Sequence, residues 1–449
     1  MEFECRLQSS LREAGRLIVE WTYNRCEPDD VRSLPARLEL GGESYRRNRK
    51  TPHKVACLFG SIRLRRCVYQ AVTRGEAAIF PLEFALGIVA HAATPALADV
   101  AGRLAADVTQ QQTLAVLRER CGVGWSVELL RNVVAALASN LAPLRHEAQL
   151  AQLLDWLRKA AKSSGKFAPT LAVGRDGTMV PMRSGWEEAS TATVSVLDRK
   201  GRRLGTVYLG RMPESGQGTL SDQLTKLLTD LLSEWQGALP RLVYITDAGT
   251  HPQDYFRYKL AWMKHPRTGQ KLKWEWTVDY FHACEYVGKL ADALFGPGPE
   301  AEAWAAKMRR LLKEQTGGIR KLLRRAAAQR RRQGLRGCRK DFDRAMNYLR
   351  KYRRHMNYAE NRRRKLPIGS GVTEAACKTI FGHRFKQSGM RWWGGQGQHV
   401  LDLRMILKSG VWNSVRDRWL KQAPCPQPTL EAKNSPEYRE KPRKKLLPA

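Results

Sequence analysis

Leu171–Gly177 reads LAVGRDG and Leu242–Gly249 reads LVYITDAG. Each is a short apolar, β-rich run that delivers an aspartate, Asp176 or Asp247, into a turn of small residues. Beside the first lie two more β-rich runs, Thr193–Leu197 and Thr206–Leu209, separated by turn residues such as Asp198 and Gly201. A helix is predicted next, because Leu220, Leu224, Leu227, Leu228, Leu231 and Leu232 recur at helical spacing. Leu242–Thr246 and Trp274–Val278 (WEWTV) complete the set. Three strands, a helix and two further strands separated by a helical stretch predict an α/β arrangement.

On the N-terminal side, Lys54–Val72 alternates around Ile62, Leu64 and Val68 and predicts one or two strands. The rest of residues 1–78 has no legible fold. From Leu82 to Leu157 the pattern is Ala-rich and helical, and Leu129, Leu130, Val133, Val134, Leu137 and Leu141 make one apolar face. Within it, TLAVLRERCGVGWSVELLRNVV (Thr113–Val134) predicts helix, turn and helix, with Gly122 and Gly124 in the turn and Ser126 as N-cap. That segment reads equally well as a helix-turn-helix that docks DNA or as an ordinary helical hairpin. The polar KAAKSSG (Lys159–Gly165) predicts a domain boundary. The expected organisation is therefore a helical region over 79–164, a catalytic core over 165–286 and 367–422, a basic helical insertion over 287–366, and a Pro-rich, disordered basic tail over 423–449.

The 449 residues include 78 Lys and Arg against 43 Asp and Glu, a net charge of +35. Residues 301–449 hold 38 of the basic residues against 11 acidic ones, whereas 165–300 hold 17 against 15. Such an excess repels itself and calls for a polyanion, nucleic acid before a membrane surface. The longest uncharged apolar stretch, Phe84–Ala98, contains His91 and Pro95 and is too short to span a bilayer. The N-terminus has no apolar signal core, and nine cysteines without a C-x-x-C predict reduced thiols in a cytosolic protein, with no ligand spacing that supports a zinc site. Between Gly318 and Leu366 stand 19 Lys and Arg and only Asp341, Asp343 and Glu360. A one-signed run of this kind suits release of counterions from DNA. The expected backbone contacts are Arg324, Arg325, Arg330, Arg331, Arg332, Arg362, Arg363 and Arg364, followed by Lys378, Arg384, Lys386 and Arg391. Trp392 and Trp393 are read either as stacking platforms or as core residues.

A third acid, Glu374, falls in the first turn of the helix opened by GSGVTEAACK (Gly369–Lys378), with Ser370 at its N-cap. Taken singly, Asp-Gly is an ordinary turn and a Glu there complements the helix dipole. Together, three converging carboxylates repel unless a divalent cation neutralises them. Mg²⁺ takes such hard oxygen ligands. Two ions about 4 Å apart can activate a water and stabilise the leaving oxygen of a phosphodiester. An acid after the first strand, one after the fourth and one on a much later helix is the order of a ribonuclease-H-like catalytic core. Asp279, after WEWTV, competes with Asp247 for the second place; Asp247 is preferred because its strand is more apolar and more central. His282, three residues on, is read as a DNA contact, an orienter of a carboxylate, or a structural histidine.

GRDGTMV, ITDAG, DYFHACEYV and PIGSGVTEAACKTIFGHRFKQSGMRW together resemble the DDE transposases of bacterial insertion sequences, specifically the ISKra family. The resemblance covers roughly Leu82–Leu407 and is most specific over Pro367–Trp392. It implies a ribonuclease-H-like core, a mixed five-stranded sheet flanked by helices, with a mostly α N-terminal region. It also implies the triad Asp176, Asp247 and Glu374 on two Mg²⁺ ions, for which Mn²⁺ can substitute. The implied activity is cleavage at an element's terminal inverted repeats and transfer to target DNA, by at least a dimer in the bacterial cytoplasm. The separations of 71 and 127 residues imply a helical insertion before the Glu, where 287–366 lies. Asp279–His282 resembles the x-x-His signature of Mutator-like transposases, which usually carry Cys at the position of Asp279. Two rivals are a ribonuclease-H-like nuclease without strand transfer and a non-catalytic, transposase-derived DNA-binding protein.

Overall fold

A computed structural model of the chain describes residues 1–422 and the two-residue strand Gln427–Pro428. The tail expected to be disordered over 423–449 otherwise lies outside the described residues. The described chain forms two compact units: one of residues 1–101, 111–133 and 420–422, the other of 102–110 and 134–419. Among the described residues no helix is long and apolar enough to cross a membrane. The eight described cysteines are all free.

The first unit opens with helix α1 (Glu2–Asn24) and continues into strands β1 (Arg37–Leu40), β2 (Glu43–Cys57) and β3 (Gly60–Ala71), an antiparallel set in the order β3-β2-β1. This region is thus less helical than expected. The alternation read from Lys54 belongs to a hairpin whose first strand starts eleven residues earlier, and whose Val55, Ile62 and Leu64 are buried against Leu82. Helices α2 (Pro81–Leu86), α3 (Pro95–Asp107), α4 (Gln110–Cys121) and α5 (Val127–Leu141) follow. Between α4 and α5, Gly122 takes the left-handed φ of +67° that the turn requires, and the Ser126 hydroxyl accepts from the Leu129 N–H as an N-cap.

The expected boundary at Lys159–Gly165 is not one. Helix α6 (Arg145–Lys162) runs through most of it, and its Leu150, Leu153, Leu154 and Leu157 sit in the core of the second unit. A polar surface at the end of a helix imitates a linker in sequence.

The second unit is mixed α/β. Strands β4 (Thr170–Met182), β5 (Gly185–Leu197) and β6 (Arg203–Arg211) form an antiparallel meander. Helix α7 (Gly218–Glu234) leads to β7 (Arg241–Thr246), parallel to β4; helix α8 (Thr250–Tyr258) leads to β8 (Trp274–Val278), parallel to β7. The sheet order is β6-β5-β4-β7-β8. All six α7 leucines are fully buried with α6 against this sheet. Each such side chain contributes about 1.5–3 kcal/mol.

Helices α9 (Tyr280–Phe295), α10 (Pro299–Glu314), α11 (Gly318–Gln333), α12 (Arg339–Tyr352) and α13 (Tyr358–Arg363) come next. Leu290, Met308, Leu322, Phe342 and Leu349 join the same core as Trp276 on β8, so this basic stretch is continuous with the sheet rather than a separate body. Helix α14 (Gly371–Ala376) then lies on β4 and β5, where Thr373 Oγ1 meets Thr193 Oγ1 at 2.8 Å. A π-helical turn (Cys377–Gly382), the short α15 (His383–Phe385), α16 (Gly394–Lys408) and α17 (Trp412–Gln422) complete the described helices.

Candidate active site

The parallel registers bring three aspartates into one row. β4 pairs with β7 from Thr170↔Arg241 to Gly174↔Ile245, an offset of 71 residues that also separates Asp176 from Asp247. β7 pairs with β8 from Leu242↔Trp274 to Thr246↔Val278, an offset of 32 that also separates Asp247 from Asp279. Neighbouring strands lie about 4.8 Å apart. Carrying the two registers on past the last pairs therefore places Asp176, Asp247 and Asp279 side by side where β7 and β8 end. Asp176 itself does not end its strand, as the sequence suggests. β4 continues to Met182 with Asp176 paired to Thr191, but it has left its β7 partner two residues earlier, which opens that side.

The electrostatics of Asp176 report the crowding. Burial, then the charge of Asp247, and last that of Glu374 raise its carboxyl from the ordinary 3.8 to about 6. The Cys377 thiol, donating to Oδ2 at 3.3 Å, and the Gly177 N–H, donating to Oδ1 at 2.8 Å, oppose the rise. The carboxylate in turn drives the Cys377 thiol, already raised by burial, further up. Cys377 opens the π-helical turn; such wide turns occur often at functional sites.

Asp247 is held by its own turn. Ala248 adopts φ +67°, a strained value for a residue with a Cβ, and Oδ1 of Asp247 accepts from the Gly249 N–H at 2.9 Å. From α12 the Tyr348 hydroxyl donates to the Asp247 carbonyl at 2.9 Å.

Asp279 has a different station. It is fully buried and its oxygens are committed: Oδ1 accepts from the His282 N–H at 2.7 Å as the N-cap of α9, and Oδ2 accepts from both the N–H and the hydroxyl of Ser370. The Ser370 hydroxyl also stands 2.9 Å from Oε1 of Glu374. Ser370 occupies the N-cap position of α14, but its side chain makes no cap bond and ties Asp279 to Glu374 instead. This geometry suits Asp279 to positioning Glu374, and leaves Asp247 as the open second acid. His282 is half-buried, with Nδ1 3.4 Å from Glu285 Oε2 and its ring edge-on to Tyr286 and Tyr348.

The donor set, two aspartates and a glutamate whose like charges raise Asp176, fits a hard divalent cation in kind. Among the described residues no three His, Cys, Asp or Glu side chains form a preassembled metal cage. The site therefore offers uncompensated charge and oxygen donors, not finished coordination.

The expected DNA contacts divide sharply. Arg324, Arg325, Arg331, Arg332, Arg362, Lys378 and Arg391 are exposed. Lys386 donates to Thr178 Oγ1 at 2.5 Å, two residues along β4 from Asp176. Arg330 bonds Asp343 at 3.1 Å, Arg363 pairs with Glu360 at 3.0 Å, and Arg364 forms a two-pronged pair with Glu275 at 2.6 Å, so these three already have anionic partners. Arg384, one of the expected contacts, is internal instead, and of the two readings of Trp392 the core one holds. Arg384 is buried, donates to the Ala105 carbonyl at 2.9 Å and has its pKa lowered to about 10 by that burial. Trp392 is buried and donates to the Phe385 carbonyl at 3.0 Å. The exposed ring is Trp393, with the guanidinium of Arg183 4.7 Å from its centroid.

No protein-family model and no curated protein matches the chain. Among solved structures it is similar to a crystal structure of NurA with manganese, at 15% identity over 60% of this chain. The chain spans 63% of that structure's chain, with a TM-score of 0.10, too low to carry an argument about fold or function.

Proposed function

We propose that this chain is a DNA transposase whose catalytic acids are Asp176, Asp247 and Glu374. The observation that carries the reading is the aspartate row at the ends of the parallel strands, with the Asp176 carboxyl raised by both Asp247 and Glu374. The placement of the first acid on the first strand of the five-stranded sheet, the second after its fourth strand and the third on a later helix supports a ribonuclease-H-like core. The short sequence blocks that resemble the ISKra transposases add the substrate class.

In this reading Asp176, Asp247 and Glu374 would hold divalent cations, Mg²⁺ or Mn²⁺, whose chemistry when bound would be Lewis-acid activation of an oxygen nucleophile, water or a 3′-hydroxyl. Asp279, acting through the Ser370 hydroxyl, fixes the rotamer of Glu374. Lys386 sets a positive charge beside β4, where the scissile phosphate would approach. The exposed arginines of α11 supply backbone contacts that hold the duplex without reading its sequence. The DNA substrate would be the ends of the element that encodes the chain, together with target DNA.

The test is incubation of the protein with Mg²⁺, DNA carrying the sequences that flank its gene, and a supercoiled target plasmid. Cleaved ends joined to the plasmid are expected. Cleavage without joining would mark a nuclease, and binding without either would mark a non-catalytic DNA-binding protein.

A further inference from the structure

Away from the acids, the second unit contains an open cavity of about 590 Å³ lined by Lys200 and Gly201 of the β5–β6 turn, Lys313 and Glu314 at the end of α10, and Arg362, Arg363 and Lys365 around the end of α13. Five cations face one acid. Glu314 is engaged by Arg310 at 3.0 Å and Arg363 by Glu360 at 3.0 Å, while the Lys313 ammonium lies 5.6 Å from the centre of the Tyr280 ring. Lys200, Arg362 and Lys365 are exposed, and no described carboxylate lies within ion-pairing distance of any of them.

Their convergence is built into the backbone. A Cβ on Gly201, whose φ is +81°, would stand 2.6 Å from the Lys365 carbonyl oxygen and 2.9 Å from the Lys365 Cβ, so only glycine lets the turn carrying Lys200 press against Lys365. Lys365 itself is held at φ +56° by bonds from its own N–H to the Arg362 carbonyl and from the Leu366 N–H to Asn361. Left-handed backbone costs a residue with a Cβ on the order of 1 kcal/mol or more and persists only where its surroundings enforce it. Three uncompensated like charges held in one concavity await an anion.

We infer that this cavity is a second phosphate-binding site, a remote anchor for the DNA backbone that rests on the proposed function. The opposite end of the sheet carries it: Leu197, in the cavity wall, pairs with Thr170 at the start of β4, whereas Asp176 pairs with Thr191. Six residues of strand separate the two, roughly 20 Å. At about 3.4 Å per nucleotide along one strand, the anchor grips a phosphate some six nucleotides from the one at the acids. A polymer rather than a free anion is favoured because the cavity is far larger than one phosphate and is open to solvent.

The test compares wild type, Lys200→Ala/Arg362→Ala/Lys365→Ala, and a control with the same charge removed from α6 and α7, Lys159→Ala/Lys162→Ala/Lys226→Ala. Binding of a 30-base-pair duplex, of an RNA duplex of equal length and of pyrophosphate is titrated across salt concentrations. The cavity variant is expected to bind DNA roughly tenfold or more weakly, with the slope of log affinity against log salt smaller by about two to three, while the control changes little. An unchanged slope in the cavity variant, or an equal loss in the control, overturns the anchor while leaving the transposase reading intact. Tight pyrophosphate binding lost in the variant without any loss of DNA binding makes it a small-anion site and overturns it as well. Preference for the RNA duplex, lost in the variant, overturns DNA as its occupant. A wild type that binds neither duplex removes the proposed function itself and the anchor with it.

Discussion

Under the proposed function, Asp176→Asn is expected to remove Mg²⁺-dependent DNA cleavage, by a thousandfold or more, and at the same time to stabilise the protein. The first effect follows because a neutral amide oxygen holds a divalent cation far more weakly than a charged carboxylate; a loss of about 4 kcal/mol of transition-state stabilisation is roughly a thousandfold. The second follows from linkage. The folded carboxyl titrates near 6 and an unfolded aspartate near 3.8, so folding disfavours the charged form. Below pH 3.8 both states are protonated and the penalty vanishes. It grows as pH rises through the folded value and is complete above about pH 6, where a shift of this size corresponds to about 2–3 kcal/mol. Chemical denaturation of wild type and Asp176→Asn should therefore give a more stable variant at pH 7.5 and equal stabilities near pH 3.5. Equal stability at both pH values would mean that Asp176 is not crowded by its neighbours.

Gly174→Ala is the second large expectation, and it tests the support of Glu374 without touching any acid. A Cβ at Gly174 would stand 2.0 Å from Thr373 Oγ1 and 3.0 Å from Thr193 Oγ1. To admit the methyl group Thr373, which immediately precedes Glu374, must turn its hydroxyl off Thr193 or shift with α14 away from β4. Overpacking of this kind costs about 1–3 kcal/mol. A displacement of about 1 Å in a catalytic group costs roughly a hundredfold in rate. Cleavage by Gly174→Ala should fall by that order with DNA affinity retained, and adding Thr373→Ala, which removes the clashing hydroxyl, should restore part of it. Full activity in the single variant would detach α14 from the site.

The five strands of the sheet were legible because each is a run of β-branched and aromatic residues bounded by turn chemistry, as in LVYIT and WEWTV. The strand ends were not, since a run such as Thr178–Met182 carries no apolar alternation of its own and is strand only through its pairing with β5. The three acids were legible as types in an order. That Asp279 stands in their row required the registers, because a sequence separation has no meaning until two strands are known to pair. Ser370 was read as a helix cap; the competing partner, a buried carboxylate 91 residues earlier, becomes visible only in three dimensions. Arg384 is misplaced by the sequence for a related reason. Cation and aromatic side by side read as a nucleic-acid surface, whereas here the Arg384 guanidinium lies 5.1 Å from the Trp392 ring inside the unit.

Mn²⁺ binding, followed by electron paramagnetic resonance of the free ion at pH 7.5, tests most directly whether Asp176, Asp247 and Glu374 make one site. Wild type is predicted to take up Mn²⁺, to lose affinity as pH falls through about 6 where Asp176 gains its proton, and to lose it strongly in each of Asp176→Asn, Asp247→Asn and Glu374→Gln. Uptake unchanged by all three substitutions, or no uptake by the wild type, would contradict the account.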